Sequence, residues 1–299
     1  MPNKSLTRSN WMFMTLRLIT SLLCLLPLVA QASLLLSLRG EPAPGALLVG
    51  KTTPGVEVRL EQKALRVTED GWFVFGFGRD DEGERTLTLQ LGDTRETHTL
   101  QLQPRQWNIQ RVEGVPKETV SPPPETLARI REEAALVRAA RKRDSDRRDF
   151  LADFVWPASG PITGIYGSQR FYNGEPRNPH YGVDIAAPTG SPVVAPADGV
   201  VTLVHPDMFF SGGTLLVDHG YGVSSTFIHL HRVLVKEGQE VKQGEKIAEI
   251  GASGRATGPH LDWRLNWYDE RLDPQWFMSA PAVTEVRAGE ATMTSARVD

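Results

Sequence analysis

Cysteine is almost absent: Cys24 is the one cysteine in 299 residues. It lies within the first 32 residues, and no small residue directly precedes it, which argues against a lipid-modified cysteine. The chain beyond residue 32 is cysteine-free, so no disulfide framework is available, a composition that suits an oxidising compartment entered without disulfides. Basic charge is not in excess either. The 33 Lys and Arg against 36 Asp and Glu give a net charge of −3 and form no basic stripe, which excludes nucleic acid as a natural partner. Long apolar runs are lacking too. "LITSLLCLLPLVA" (18–30) is too short and too closely flanked by small residues for a membrane span. With Lys4, Arg8 and Arg17 ahead of it and "AQA" at its end, it reads as an export signal over 1–32, the alternative being a retained anchor helix. The signal holds three of the basic residues and none of the acidic ones, so the remaining 267 residues carry a net charge of −6. They have room for two domains of ordinary size.

Turn chemistry is plentiful. Residues 33–115 alternate in short stretches such as "VEVRLE", "WFVFGF" and "RTLTLQL", separated by "TTPG", "EDG" and "GDT". That pattern predicts a small antiparallel β-sandwich, an accessory domain with no catalytic constellation. His98 stands alone there and reads as a surface residue. Residues 116–150 form a linker. A stiff proline-rich break is followed by one expected helix over 124–150, with mixed charges and an apolar stripe of Leu127, Ile130, Ala134 and Val137. It reads as a solvated spacer, with a regulatory arm laid on the next domain as the sharper alternative. Residues 151–280 turn to very short strands and glycine turns with no helix expected. The tail, 281–299, is polar, aperiodic and expected to be disordered. The chain is therefore mainly β.

Six of the seven histidines lie between 180 and 260, and spacing decides which of them matter. "HYGVD" places His180 and Asp184 four apart around Gly182, close enough to wrap one ion across a loop-to-strand segment. "FIHLHR" puts His229 and His231 on one face of an expected strand, and "HLD" does the same for His260 and Asp262. A catalytic zinc site needs three protein ligands, an open position and an imidazole nearby to move a proton. His205 and His219 read as surface or turn residues, and Trp263 and Trp267 as packing. Asn173, Arg177 and Asn178 fall on a polar loop that would line a groove or simply be solvated.

The words "HYGVDIAAPTGSPVVAPADGVV", "LLVDHGYGVSSTFIHL", "VKEGQEVKQGEKIAEIGASGRATGPHLDW" and "LDP" carry a resemblance. The stretch from about 156 to 275 resembles the lysostaphin/LytM-type zinc metalloendopeptidases, which cut peptide bonds in bacterial peptidoglycan. The N-terminal part is similar, more loosely, to β-domains that precede this peptidase in Gram-negative envelope proteins. The resemblance implies a LytM-like C-terminal β-sheet peptidase domain, one zinc ion and a periplasmic location. It implies peptidoglycan stem peptides as substrate, cut at the D-alanyl to diaminopimelate cross-link (a murein DD-endopeptidase). A divisome or amidase partner, and at most a peripheral relation to the membrane, go with it. The first ligand pair falls on His180 and Asp184, and catalytic histidines fall on His229 and His260.

The third ligand departs from the pattern. The family's motif ends His-Leu-His, and here Asp262 occupies the last slot. Asp262 as ligand is chemically allowed, but two carboxylates cancel the charge of a divalent ion, weaken its effect on bound water and tilt the choice toward manganese or magnesium. His231 could serve instead, although "TGPHLxW" is the longer match and loop-like "RV" follows His231. In a third account the domain holds no metal and binds murein, or activates an amidase, without cutting.

Overall fold

The computed structural model describes residues 33–113, 124–279 and 284–285. The export segment, the proline-rich break up to residue 123, and all of the tail except Thr284–Glu285 lie outside the described residues. The first strands are β1 (Leu35–Arg39), β2 (Leu47–Thr52), β3 (Glu57–Leu60), β4 (Lys63–Leu65), β5 (Trp72–Gly76), β6 (Glu84–Leu91) and β7 (Thr94–Gln101). They fold into two antiparallel sheets, ordered β1-β2-β5 and β4-β3-β6-β7. Period-two alternation drives this. Val58 and Leu60 of β3, Leu87 and Leu89 of β6, and Phe73 and Phe75 of β5 point inward and are buried. β8 (Ile109–Val112) then leaves the sandwich.

The linker helix is shorter than the sequence suggests. A 3₁₀ turn leads into α1 (Leu127–Arg141), which ends where Lys142 donates its backbone N–H to Arg138. Residues 142–148 are not helical. Asp144, Ser145 and Asp146 have short polar side chains that compete with helical bonding, and tertiary partners claim them here. Arg66 pairs with Asp144 and Asp146, and Ser145 Oγ donates to Asp218 at 2.6 Å. Val137 and Ala140 lie against Leu203, Met208 and Leu216. Buried Glu133 accepts from Arg129 at 2.6 Å and from the Phe209 backbone N–H at 2.9 Å.

The remaining strands are β9 (Ile162–Gly164), β10 (Gln169–Tyr172), β11 (Glu175–Pro176), β12 (Val183–Ala186), β13 (Pro192–Val194), β14 (Gly199–Met208), β15 (Gly212–Gly220), β16 (Val223–Val233), β17 (Glu240–Val241), β18 (Lys246–Ile250), β19 (His260–Trp267) and β20 (Glu270–Leu272). The main sheet runs β17-β14-β15-β16-β19-β12-β9, with β13, β18 and β20 attached. β8 pairs in parallel with β10, which also holds β11. This region is not free of helix: α2 (Pro274–Ser279) follows β20. Asp273 caps it, accepting from the Gln275 backbone N–H at 2.9 Å, and Pro274 supplies a helix-ready first position. β21 (Thr284–Glu285) then pairs with β1.

The described residues, all from Ser33 onward, belong to one compact unit. Asp273 marks the seam: its N–H donates to the Gly45 carbonyl at 2.8 Å and its carboxylate takes Arg105 at 2.7 Å. The apolar residues of both β regions belong to one core cluster. Among the described residues no helix is long and apolar enough to cross a membrane.

Candidate active site

β19 sorts its residues by parity. Leu261, Trp263, Leu265 and Trp267 face the core and are buried, as packing residues should be. His260, Asp262, Arg264 and Asn266 share the opposite face. Cross-strand register sets what meets that face: Asp184 of β12 lies directly opposite Asp262, and Ala186 opposite His260. His180 is brought to the same point from the loop before β12. Its N–H donates to the Ser168 carbonyl and its carbonyl accepts from the Gly167 N–H, each at 2.8 Å.

His180, Asp184 and Asp262 thus converge, with one ligating atom from each within 4.8 Å of the others. His180 Nε2 lies 3.1 Å from Asp184 Oδ1, and His180 Nδ1 lies 3.9 Å from Asp262 Oδ2. Nε2 of His180 and Oδ1 of Asp184 are buried, yet neither makes a directed hydrogen bond. A buried imidazole nitrogen and a buried carboxylate oxygen left facing one another are what a cation would satisfy. The backbone makes room for both carboxylates. A Cβ on Gly164 would sit 2.1 Å from Asp184 Oδ2, and one on Gly182 would sit 2.2 Å from Asp262 Oδ1. The donor set and its cradle fit one divalent ion.

Two imidazoles stand beside this cluster. The rings of His229 and His260 are 4.8 Å apart, centre to centre. His229 Nδ1 is held by the Ser253 carbonyl and His260 Nδ1 by the Gly258 carbonyl, both at 2.8 Å. Each anchored Nδ1 is thereby the protonated nitrogen, which leaves Nε2 as a lone pair. His260 Nε2 lies 3.9 Å from Asp184 Oδ1. Burial is the main influence on His229 and pulls its imidazole below the ordinary histidine range. Burial acts the same way on His180, but Asp184 and Asp262 outweigh it and the net direction is upward.

Alternation does not hold at His229. Its φ is +63°, its N–H donates to the Ser211 carbonyl at 2.8 Å, and the strand register breaks just beyond it. His229 and His231 therefore do not share a face: His229 is buried and His231 is exposed. The "RV" after His231 belongs to β16 rather than to a loop. His219 is also not a surface residue. It is fully buried in β15, bonded to the Asp198 carbonyl at 2.7 Å and Ser225 Oγ at 2.9 Å. On the polar loop, Arg177 stacks its guanidinium over the Tyr172 ring at 5.6 Å.

Sequence reasoning passed over Arg264. Its Nε donates to Asp262 Oδ1 at 2.9 Å and its Nη2 to Oδ2 at 2.6 Å, a two-pronged pair. Burial opposes the charge on Asp262, yet Arg264 outweighs it and keeps the carboxyl below its usual range. The signal was available, since position 264 shares the parity of 262.

Residues 178–274 match the model of peptidase family M23. The motif words quoted above lie almost wholly inside that span. The peptidoglycan DD-endopeptidase ShyB of Vibrio cholerae is 45% identical over 89 residues, which cover 29% of this chain and 20% of ShyB. The cell division protein DipM of Caulobacter vibrioides is 32% identical over 148 residues, covering 50% of this chain and 23% of DipM. The chain spans about a fifth of the length of the first curated relatives it matches. A solved structure assigned to peptidase M23, from Pseudomonas aeruginosa, is 30% identical. It aligns with a TM-score of 0.62 over 80% of this chain and 96% of its own. The chain belongs to peptidase family M23. The LytM-like reading of its C-terminal region holds, and M23 is a family of peptidases. His180, Asp184, His229, His260 and Asp262 all fall within the matched span.

Proposed function

We propose that this protein is a zinc-dependent endopeptidase that hydrolyses peptide cross-links of bacterial peptidoglycan, as a murein DD-endopeptidase of the periplasm. The observation that carries the reading is the convergence of His180, Asp184 and Asp262 beside two imidazoles whose Nδ1 atoms are anchored and whose Nε2 atoms are free. Relatives named as peptidoglycan DD-endopeptidases support the substrate class, and DipM's name points to cell division for a partner.

His180, Asp184 and Asp262 would hold the ion. Bound there, it would supply Lewis-acid polarisation of the scissile carbonyl and a nucleophile from water. The chain's own contribution is positioning and proton transfer. Burial disfavours the charged form of His229, which favours its Nε2 as the acceptor for a proton. His260 stands across the site and completes the pair: one imidazole takes a proton on Nε2 and returns it from there to the leaving amine, and the other, when it carries a proton on Nε2, steadies the developing negative charge. The carbonyls of Ser253 and Gly258 hold both rings to one tautomer through the cycle.

One observation favours a second reading. Asp262 is already paired with Arg264, so the cluster carries a partner of its own for that carboxylate. On that reading the domain binds murein, or activates a cell-wall amidase, without cutting. Zymography on purified murein separates the two. The peptidase reading expects clearing that is lost with a chelator and restored by Zn²⁺. No clearing with any divalent metal would leave the binding module standing.

A further inference from the structure

Two carboxylates directly opposite on neighbouring strands repel one another. Asp184 and Asp262 hold that arrangement, with Asp262 only 2% exposed. A divalent ion between them would be fully neutralised, which is the weakness of an Asp in the third ligand position. Arg264 changes that balance. Its fork makes three contacts, Nε to Oδ1 at 2.9 Å and more distantly to Oδ2 at 3.2 Å, and Nη2 to Oδ2 at 2.6 Å, so the two oxygens together keep a lone pair that Arg264 does not use. Seen from the site, a carboxylate tied to a guanidinium is neutral, as an imidazole would be.

The fork is also built into the fold. Residues 262 and 264 are two apart on one strand and so share a face. A Cβ on Gly182 would meet Asp262 Oδ1 at 2.2 Å and Arg264 Cγ at 2.8 Å, so only glycine leaves the pair its space. Burial of Asp262 without a partner would be strongly destabilising, as in any buried ion pair stripped of one member.

We propose that Arg264 is a positioning residue for the metal centre: it orients Asp262 and cancels its charge, so that the Asp262–Arg264 pair acts as one neutral third ligand. The proposal rests on the metal-binding reading above. It predicts a coupling that a purely structural salt bridge would not produce. Arg264 helps only an aspartate at position 262. Beside an imidazole it is a stranded, half-buried cation.

The test is Zn²⁺ affinity of the full chain, measured by competition with a chromophoric chelator, alongside melting curves of the metal-free proteins. Wild type should bind one Zn²⁺. Arg264→Met should weaken binding by about 10- to 100-fold, the usual cost of losing a group that orients a ligand. Asp262→His alone should also bind weakly, whereas the double variant Asp262→His/Arg264→Met should return to within about threefold of wild type, since pairwise coupling of contacting residues is large. Arg264→Lys keeps the charge and loses the fork. If Arg264→Met does not fold, Arg264→Lys carries the test, with binding weakened by about tenfold at an unchanged melting temperature. Wild-type-like affinity in Arg264→Met or Arg264→Lys, or a double variant no better than Asp262→His, would overturn the inference and leave the peptidase reading intact. A wild-type chain that binds no Zn²⁺ would overturn both.

Discussion

Asp184 and Asp262 face each other across β12 and β19, and of the two only Asp262 is paired with an arginine among the described residues. Asp184 Oδ1 is left buried beside His180 Nε2 with no directed hydrogen bond. The folded state therefore carries an electrostatic deficit at one point, and a divalent cation is the simplest way to meet it.

That deficit predicts ligand-linked stability. Zn²⁺ at about 100 times its dissociation constant should raise the unfolding free energy by about 2.7 kcal/mol. For a chain of this size the melting temperature should climb by several degrees, about 2–4 °C for each kcal/mol. Chelation should reverse the rise, and Asp184→Asn should abolish it. Differential scanning calorimetry with and without Zn²⁺ checks this. Identical melting curves would remove the cation from the account.

Gly182 should tolerate nothing larger. Gly182→Ala places a methyl 2.2 Å from Asp262 Oδ1 and 2.8 Å from the Trp263 carbonyl, so backbone as well as side chain must move. Overpacking of this kind costs about 1–3 kcal/mol, and metal binding should be lost with it. Gly258 is a control, because a Cβ there meets nothing within 4 Å. Urea unfolding of the two variants should separate them, and equal stability would contradict the close approach.

His229 should matter for turnover and not for the ion. Its Nδ1 is tied to Ser253, and none of the three converging ligand atoms belongs to it. His229→Asn keeps a residue that tolerates positive φ and removes the basic nitrogen. Murein hydrolysis should fall by about 10²- to 10⁴-fold, the usual range for a lost general base or acid, while Zn²⁺ affinity stays within about threefold. A parallel collapse of Zn²⁺ affinity would make His229 a ligand instead.

Period-two arithmetic explains which parts of the site were legible. It put His260 and Asp262 on one face of β19, and the same rule reaches Arg264. The motif spacing around Gly182 placed His180 and Asp184 together. It failed at His229, because nothing in "FIHLHR" announces a left-handed backbone. That conformation comes from a tertiary bond to Ser211 and a break in register with β18. His219 was missed for a related reason. "DHGYG" does look like a turn, but β15 is central in the sheet and every residue of it is buried. The helix ends earlier than its local pattern suggests, because Arg66, Asp218 and Tyr221 claim residues 144–146 from parts of the chain far away in sequence. Local pattern carried the strands, and long-range bonds decided the exceptions.

His219 sets a pH dependence that is independent of the metal centre. Its imidazole is fully buried between the Asp198 carbonyl and Ser225 Oγ. Burial is the largest influence and holds the group below its ordinary value. The unfolded chain therefore takes up the proton first as pH falls, near the free histidine value of about 6.5. A lowered folded-state value means that this contribution to stability is complete above that pH. It is lost as pH drops below it, at up to about 1.4 kcal/mol per pH unit until the folded protein is protonated as well. Chelator-treated wild type should thus lose melting temperature between about pH 6.5 and 5. His219→Gln, which cannot take up a proton, should start less stable at pH 8 and show a shallower decline over the same range. Equal slopes for the two proteins in calorimetric scans would mean that His219 does not control this limb.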